Sequence, residues 1–493
     1  MDLPELEREE SLDPDDWAVM RELGHRMVDD MMNYLATVRE RPVWQPIPAE
    51  VKAQFKQPMP QEAQGAEQAY AEFLDQILPY PLGNIHPRFW GWVIGTGTPL
   101  GALSEMLAAT MNPNVGGGEH IANYVEAQVL DWCKQMLGYP IAASGILVSG
   151  GSMANLVGLT VARNTKGFDI RELGLQAAPR KLVLYGSVEM HSSVQKAVEL
   201  LGLGNEALRK MPVNTHFEID VDALEAAIAA DKAAGHQPFC IVGNAGTVNT
   251  GAMDDLNHLA DICQRDGLWF HVDGAFGALA ALSPRLRPRL AGMERADSLA
   301  FDLHKWMYMP YEVGCILVRN EEAHRRTFSL TPAYLAHDQR GIAAGSLWFS
   351  DYGIQLSRGF RALKVWMSIK EHGLNKYARM IEQNVAQCRY LALLIETQPE
   401  LELLAPVALN IVCFRFVAPG FSDEQLNMLN KELMIRLQEA GIAGPSSTTL
   451  NGRFAIRVAN TNQRSRREDF DLLVREVLRI GNKLAQGLTL NDD

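Results

Sequence analysis

Between about residue 140 and residue 320, short apolar runs alternate with longer stretches of helical periodicity, and this limits the chain to few architectures. The runs are Ile146–Val148, Lys181–Tyr185, Phe239–Val242, Leu268–Val272, Ser298–Phe301 and Val313–Val318. A strand that is apolar on both faces must be covered on both faces. The segment therefore predicts an α/β fold, a largely parallel sheet with helices above and below. Ligands of such sheets bind in loops beyond the carboxyl ends of the strands, so chemistry is expected just after each run.

The flanking segments differ. Met20, Leu23, Met27, Met31, Leu35 and Val38 recur at three- and four-residue steps, the period of one helix face. Pro42, Pro46, Pro48, Pro58 and Pro60 follow and are expected to exclude regular structure from residues 41–60. Residues 1–110 are read as a helical arm that must lie on something else, a partner subunit being the candidate. Residues 111–375 are read as the large α/β domain and residues 376–493 as a small α+β domain. The small domain is expected to hold a strand at 409–417, a helix from the capping box Ser422-x-x-Gln425 to Gly441, a strand at 454–458 and a helix from 466.

Composition narrows the function. Lys and Arg total 46 against 59 Asp and Glu, a net charge of −13, so a polyanion-binding surface and nucleic acid as partner are not expected. The six cysteines form no Cys-x-x-Cys and no Cys/His cluster at metal spacing, which fits a reducing compartment and no metal site. The acidic start, with no run of 18 apolar residues after it, reads as a cytoplasmic chain without a membrane span.

The strand ends carry unusual polar groups. After Val148 comes Ser149-Gly150-Gly151-Ser152, directly followed by a helical stretch. Small residues let backbone N–H groups approach an anion and a helix start adds positive potential, so the turn is a candidate phosphate cradle as well as an ordinary turn. His191 follows the second run and is either a structural histidine or a ring for a ligand. Asp273 ends a buried strand, where an unpaired carboxylate costs several kcal/mol, so it wants a cationic partner. Lys305, in Phe301-Asp302-Leu303-His304-Lys305-Trp306, is read as sitting in an apolar context, where desolvation favours the nucleophilic amine. An aldehyde cofactor needs such a lysine, a pyridine nitrogen needs such a carboxylate and a cofactor phosphate needs such a turn. Pyridoxal 5'-phosphate (PLP) combines the three.

Ser149–Asn155, His191–Lys196, Gly246-Thr247, His271–Ala275 and His304-Lys305-Trp306, in this order and spacing, resemble the group II PLP-dependent amino-acid decarboxylases, among them the aromatic-L-amino-acid decarboxylases. The resemblance runs from about residue 80 to 375. It implies PLP fold type I, a homodimer whose N-terminal segment wraps the other subunit, and decarboxylation of an aromatic L-amino acid. It further implies Lys305 as the Schiff-base lysine, Asp273 as partner of the pyridine nitrogen and His191 as the ring stacked on the cofactor. Ala275 would pack on the opposite face, Thr247 near the ring substituents, and Gly150, Gly151 and Ser152 on the phosphate with His304 close by. The stretch His86–Ile94 resembles one that lines the substrate pocket, and Trp92, Val93, Phe349 and Tyr352 are the candidate pocket residues, although Trp90 and Trp92 also read as core. Arg88 is the one basic residue placed there, which disfavours a glutamate-type substrate, and Arg457 is a candidate carboxylate contact.

Two positions depart from the pattern. Asp302 stands where these decarboxylases usually carry Asn, and an anion beside a phosphate must point away or be compensated. Counting back from Leu356–Lys364, the tyrosine that protonates the carbon after CO2 leaves falls on Phe349, which has no proton to donate, with Tyr352 and Tyr334 as alternatives. That exchange marks aldehyde synthases among the plant relatives, so an aldehyde product is the main alternative. Another fold type I lyase is a second. A nicotinamide-binding reading of Gly95-Thr96-Gly97 is opposed by Pro99, which interrupts the turn-to-helix entry.

Overall fold

A computed structural model describes residues 11–330 and 339–489 of the chain. It divides into two compact units, Met1–Pro42 with Pro46–Leu82, and Val43–Gln45 with Gly83–Asp493. In the first, the periodic stretch forms a helix, Trp17–Ala36, opened by the Asp16 carboxylate accepting from the Ala18 N–H. A second helix, Ala66–Glu72, joins it through the Tyr70 hydroxyl on Asp30, 2.8 Å, and an Arg26–Glu67 ion pair. Leu23 is buried, whereas Met20 and Met27 on the same predicted face are exposed. The prolines do not exclude regular structure from the whole of 41–60, because a helix spans Ala49–Gln54. Pro48 sits at its N-cap, where a missing N–H costs nothing, and Pro58 lies beyond its end.

The second unit holds two sheets. The strands are β1 (Phe89–Trp90), β2 (Ser144–Val148), β3 (Leu182–Ser187), β4 (Leu208–Met211), β5 (Gln237–Asn244), β6 (Trp269–Asp273), β7 (Ser298–Asp302), β8 (Gly314–Val318), β9 (Leu401–Leu403), β10 (Ile411–Phe416), β11 (Gly444–Leu450) and β12 (Arg453–Ala459). The larger sheet runs β2-β8-β7-β6-β5-β3-β4. β4, β3, β5, β6 and β7 are parallel neighbours, and β8 runs antiparallel to both β2 and β7. β2, β3, β6, β7 and β8 are buried along their whole length, as continuous apolar runs require. This is the mostly parallel α/β sheet of PLP fold type I. β4 escapes a reading by apolar runs because Arg209 and Lys210 break its only stretch.

The smaller sheet runs β1-β11-β12-β10-β9. The strands expected at 409–417 and 454–458 are β10 and β12. The helix between them, Asp423–Glu439, has both hydrogen bonds of the Ser422/Gln425 capping box. β11 is a polar strand with no apolar alternation to betray it. Its edge partner β1 arrives from far earlier in the chain, pairing Phe89 with Gly444 and Trp90 with Pro445. Trp90 is core: it stacks on Phe470 at 4.9 Å and donates to the Ser465 hydroxyl at 3.0 Å. Among the described residues, no helix is long and apolar enough to cross a membrane.

Candidate active site

Glycines let the ends of β2, β7 and β8 converge. Gly150 caps the helix Gly151–Asn164. A Cβ at Gly150 would lie 3.2 Å from His304 Cε1, and one at Gly151 would lie 3.0 Å from Asp302 Oδ2. A Cβ at Gly314 would fall 2.6 Å from both Asp302 Oδ1 and the Gly150 Cα, a distance no real Cβ tolerates. The space so kept open is a cavity of about 340 Å³, and Gly150, Gly151, Ser152, His191, Asp273, Ala275, His304 and Lys305 all line it. It lies beyond the carboxyl ends of parallel strands, where this fold places ligands.

Lys305 is not in apolar surroundings. Its Nζ lies 2.9 Å from Asp302 Oδ2. The sequence pattern around it is apolar because its neighbours Leu303 and Trp306 face the core, whereas Asp302, three residues earlier, faces the lysine. Asp302 is thus compensated on one oxygen, while Oδ1 is buried with no hydrogen-bond partner among the described residues. His304 Nδ1 accepts from the Val313 N–H at 3.1 Å, which leaves its proton on Nε2, 3.8 Å from Asp302 Oδ2. Burial lowers the His304 pKa, opposed by Asp302.

Asp273 is better served. Its Oδ2 accepts from Asn155 Nδ2 at 2.8 Å and its Oδ1 from the Ala275 N–H at 3.1 Å. Asn155 stands one turn into the helix that Gly151 opens. Its Oδ1 lies 2.9 Å from His271 Nε2, and its Nδ2 also lies 2.9 Å from Ser193 Oγ. His271 and Asp273 point to the same face of β6 because side chains alternate along a strand. His191 caps the helix Ser192–Leu200, its Nδ1 2.7 Å from Ser193 Oγ. Its pKa is lowered by burial first, against the pull of Asp273. Asn155 and Ser193 stand within the family-like motifs, yet nothing in the linear pattern marks them as partners of Asp273 and His191. Tyr311 and Glu312 also line the cavity without any advance signal.

Other expected residues stand apart from the cavity lining. Thr247 is buried, its Oγ1 3.1 Å from Thr250 Oγ1 and accepting from the Ala252 N–H. Trp92 is exposed and Val93 belongs to the core. Phe349 is buried with the Arg358 guanidinium 5.2 Å from its ring centre. The Tyr352 hydroxyl donates to Glu321 at 2.9 Å. Arg457 is buried, and four of its five N–H donors go to the carbonyls of Trp92, Val248 and Asn249 and the Ser446 hydroxyl, so its guanidinium is tied to the protein's own framework and it does not line the cavity. Arg88 is likewise engaged, donating to the Ile442 carbonyl at 2.7 Å. Tyr334 lies outside the described residues.

A cradle that a single Cβ would fill, one amine and a satisfied buried carboxylate share one cavity, and this donor set fits PLP. A family model described as the pyridoxal-dependent decarboxylase conserved domain matches residues 48–417. An aromatic-L-amino-acid decarboxylase of Bacillus atrophaeus is 34% identical over 91% of this chain and 93% of its own length. A phenylacetaldehyde synthase of Arabidopsis thaliana is 28% identical over 91% of this chain and 93% of its own. The solved Oryza sativa TDC with PLP and tryptamine superposes with a TM-score of 0.88 at 25% identity, covering 96% of this chain and all of that one. With a continuous match over most of its length and a cavity furnished for the cofactor, the chain belongs to the pyridoxal-dependent decarboxylase family, a PLP-dependent carboxy-lyase.

Proposed function

We propose that this carboxy-lyase releases CO2 from an aromatic L-amino acid and leaves the amine. The observation that carries the reading is the meeting of Lys305, Asp273 and His191 in one cavity with the helix start at Gly151. The aromatic class is supported by the similarity to aromatic-amino-acid decarboxylases. PLP, when bound, supplies an electron sink for the carbon that loses its carboxylate. Lys305 carries the one amine among the cavity residues and so would hold the cofactor aldehyde. Asp302 Oδ2, at 2.9 Å, holds the Lys305 ammonium in an ion pair that must open before the amine acts as a nucleophile. Asp273 would keep a proton on the pyridine nitrogen, and the backbone at Gly150, Gly151 and Ser152 would bind the phosphate. His191 offers its imidazole beside them.

The test is incubation of the holoenzyme with tryptophan, tyrosine, phenylalanine and glutamate, with CO2, amine, aldehyde and peroxide measured together. Amine from an aromatic substrate is expected, and CO2 from glutamate alone would overturn the class. An aldehyde product is the second reading, favoured by Phe349, which has no exchangeable proton at the matched loop position.

The assembly and compartment follow as proposals. Met106, Leu107 and Met111 on the helix Pro99–Met111, with Ile121 and Tyr124, are exposed apolar residues suited to the interface of a homodimer. The six cysteines, all free and buried, suit a cytoplasmic, reducing setting. Residues 1–110, 111–375 and 376–493 would serve as arm, cofactor domain and small domain.

A further inference from the structure

We propose that Asn155 is the positioning residue of this site, one side-chain amide that fixes the carboxylate of Asp273 and turns the Ser193 hydroxyl onto His191. The inference rests on the reading that Asp273 meets the cofactor's ring nitrogen.

Hydrogen-bond polarity fixes how the Asn155 amide must sit. Asn155 is fully buried, and three polar groups surround its amide: Asp273 Oδ2 at 2.8 Å, Ser193 Oγ at 2.9 Å and His271 Nε2 at 2.9 Å. An ionised carboxylate only accepts, so the amide nitrogen must face Asp273, which fixes the amide's orientation. The amide oxygen then needs a donor, and His271 must carry its hydrogen on Nε2. Its Nδ1 is left to accept from the Ser298 hydroxyl at 2.8 Å. Ser298 is free to donate because its oxygen already accepts from Trp269 Nε1 at 2.8 Å.

The same logic runs the other way. The second amide hydrogen goes to Ser193 Oγ, so the Ser193 hydroxyl donates to His191 Nδ1 at 2.7 Å, joined there by the Ser193 backbone N–H at 3.2 Å. The hydrogen of neutral His191 therefore sits on Nε2. From Trp269 to His191 each donor has one acceptor, and reversing the Asn155 amide would break the chain on both sides.

The surroundings keep His271 in its place. A Cβ at residue 158 would come within 2.8 Å of His271 Cε1, so Gly158 is what lets the ring reach Asn155. Burial holds the His271 pKa down to about 4, so the ring is neutral and carries the single hydrogen that the chain requires.

The experiment uses full-length holoenzyme and reads the PLP dissociation constant, the visible absorption of the bound cofactor, and kcat separately from KM. Asn155→Asp sets an acceptor against the Asp273 carboxylate. PLP affinity is expected to fall by about 10- to 100-fold, as for partners that orient a binding group, with the absorption band displaced and the loss in kcat rather than KM. His271→Leu should do the same more weakly. His271→Gln, whose amide offers an N–H to Asn155 Oδ1, should restore most of the affinity. Should Asn155→Asp fail to fold, the His271 pair carries the test. If Asn155→Asp or His271→Leu lowers Tm while the folded protein keeps wild-type affinity and spectrum, the role is merely structural and the proposal is overturned. Asp273→Asn separates the two readings. If it changes the spectrum and Asn155→Asp does not, the positioning role fails alone; if it changes neither spectrum nor affinity, the assignment of Asp273 itself fails.

Discussion

Asp273 and Asp302 end adjacent parallel strands, both are buried, and they are held in opposite ways. Asp273 has an N–H donor on each oxygen. Asp302 has the Lys305 ammonium on one oxygen and, among the described residues, no partner on the other. A buried polar atom without a partner is costly unless something arrives to relieve it. The ring end of the cavity is thus organised before a ligand enters, whereas the lysine end is held by a single ion pair that loading must break.

The largest expected effects fall on the residues that this contrast singles out. Lys305→Ala should abolish CO2 release, and borohydride reduction should then label no other lysine. Asp273→Ala removes a preorganised partner of developing charge, for which about 10²- to 10³-fold in kcat is expected. Near-normal turnover in that variant would refute its place opposite the ring nitrogen. Both variants should keep the fold, which circular dichroism checks.

Acid breaks the comparison from one side. His271 titrates near 6.5 as an ordinary histidine but is held to about 4 by burial in the folded chain. Below pH 6.5 the unfolded state therefore binds the proton first, and the stability present above that pH is lost as pH falls towards 4. For a shift of that size the loss is about 3 kcal/mol. His324, lowered to about 3 by burial, adds a loss of the same sign. Denaturant unfolding of the apoprotein between pH 7 and 4 measures both, and His271→Gln should remove only its own share. An unchanged acid limb in that variant would show that His271 is not held neutral.

Much of this was legible in the sequence because buried parallel strands write themselves as apolar runs and the polar residues that end them stand out. Asp273, Lys305, His191 and the Gly150–Ser152 turn all come together in the cavity for that reason. Edge strands are another matter: β4 and β11 carry polar residues, and β1 finds its partner only through a contact across more than half the chain. Asn155 and His271 were visible as motif letters, but their meaning lies in which atoms face each other between a helix and a strand. Lys305 misled for the same reason, its apolar neighbours in sequence being different from its neighbours in space. Phe349 and Tyr352 owe their place to a loop whose course no periodicity records.

The smallest expected effect concerns the lysine end and decides what Asp302 is for. Its carboxylate lies 3.0 Å from the Cβ position of Gly151, at the helix start that is the candidate anion cradle, so it must oppose a phosphate while it pairs with Lys305. Asp302→Asn keeps the shape and removes the charge. One unit charge near an anion in a partly solvated site is worth roughly 1.4 kcal/mol, so PLP should bind about tenfold more tightly. Loading should also be faster, because the ion pair that holds Lys305 as an ammonium is gone. Equilibrium titration with PLP, read by the quenching of tryptophan fluorescence, gives the first quantity, and the time course of colour development gives the second. Tighter binding with faster loading would set Asp302 apart from Asp273 as a group that restrains both the cradle and the lysine. Weaker binding would mean that the carboxylate holds the cradle together and that its unpartnered oxygen waits for a donor on the cofactor.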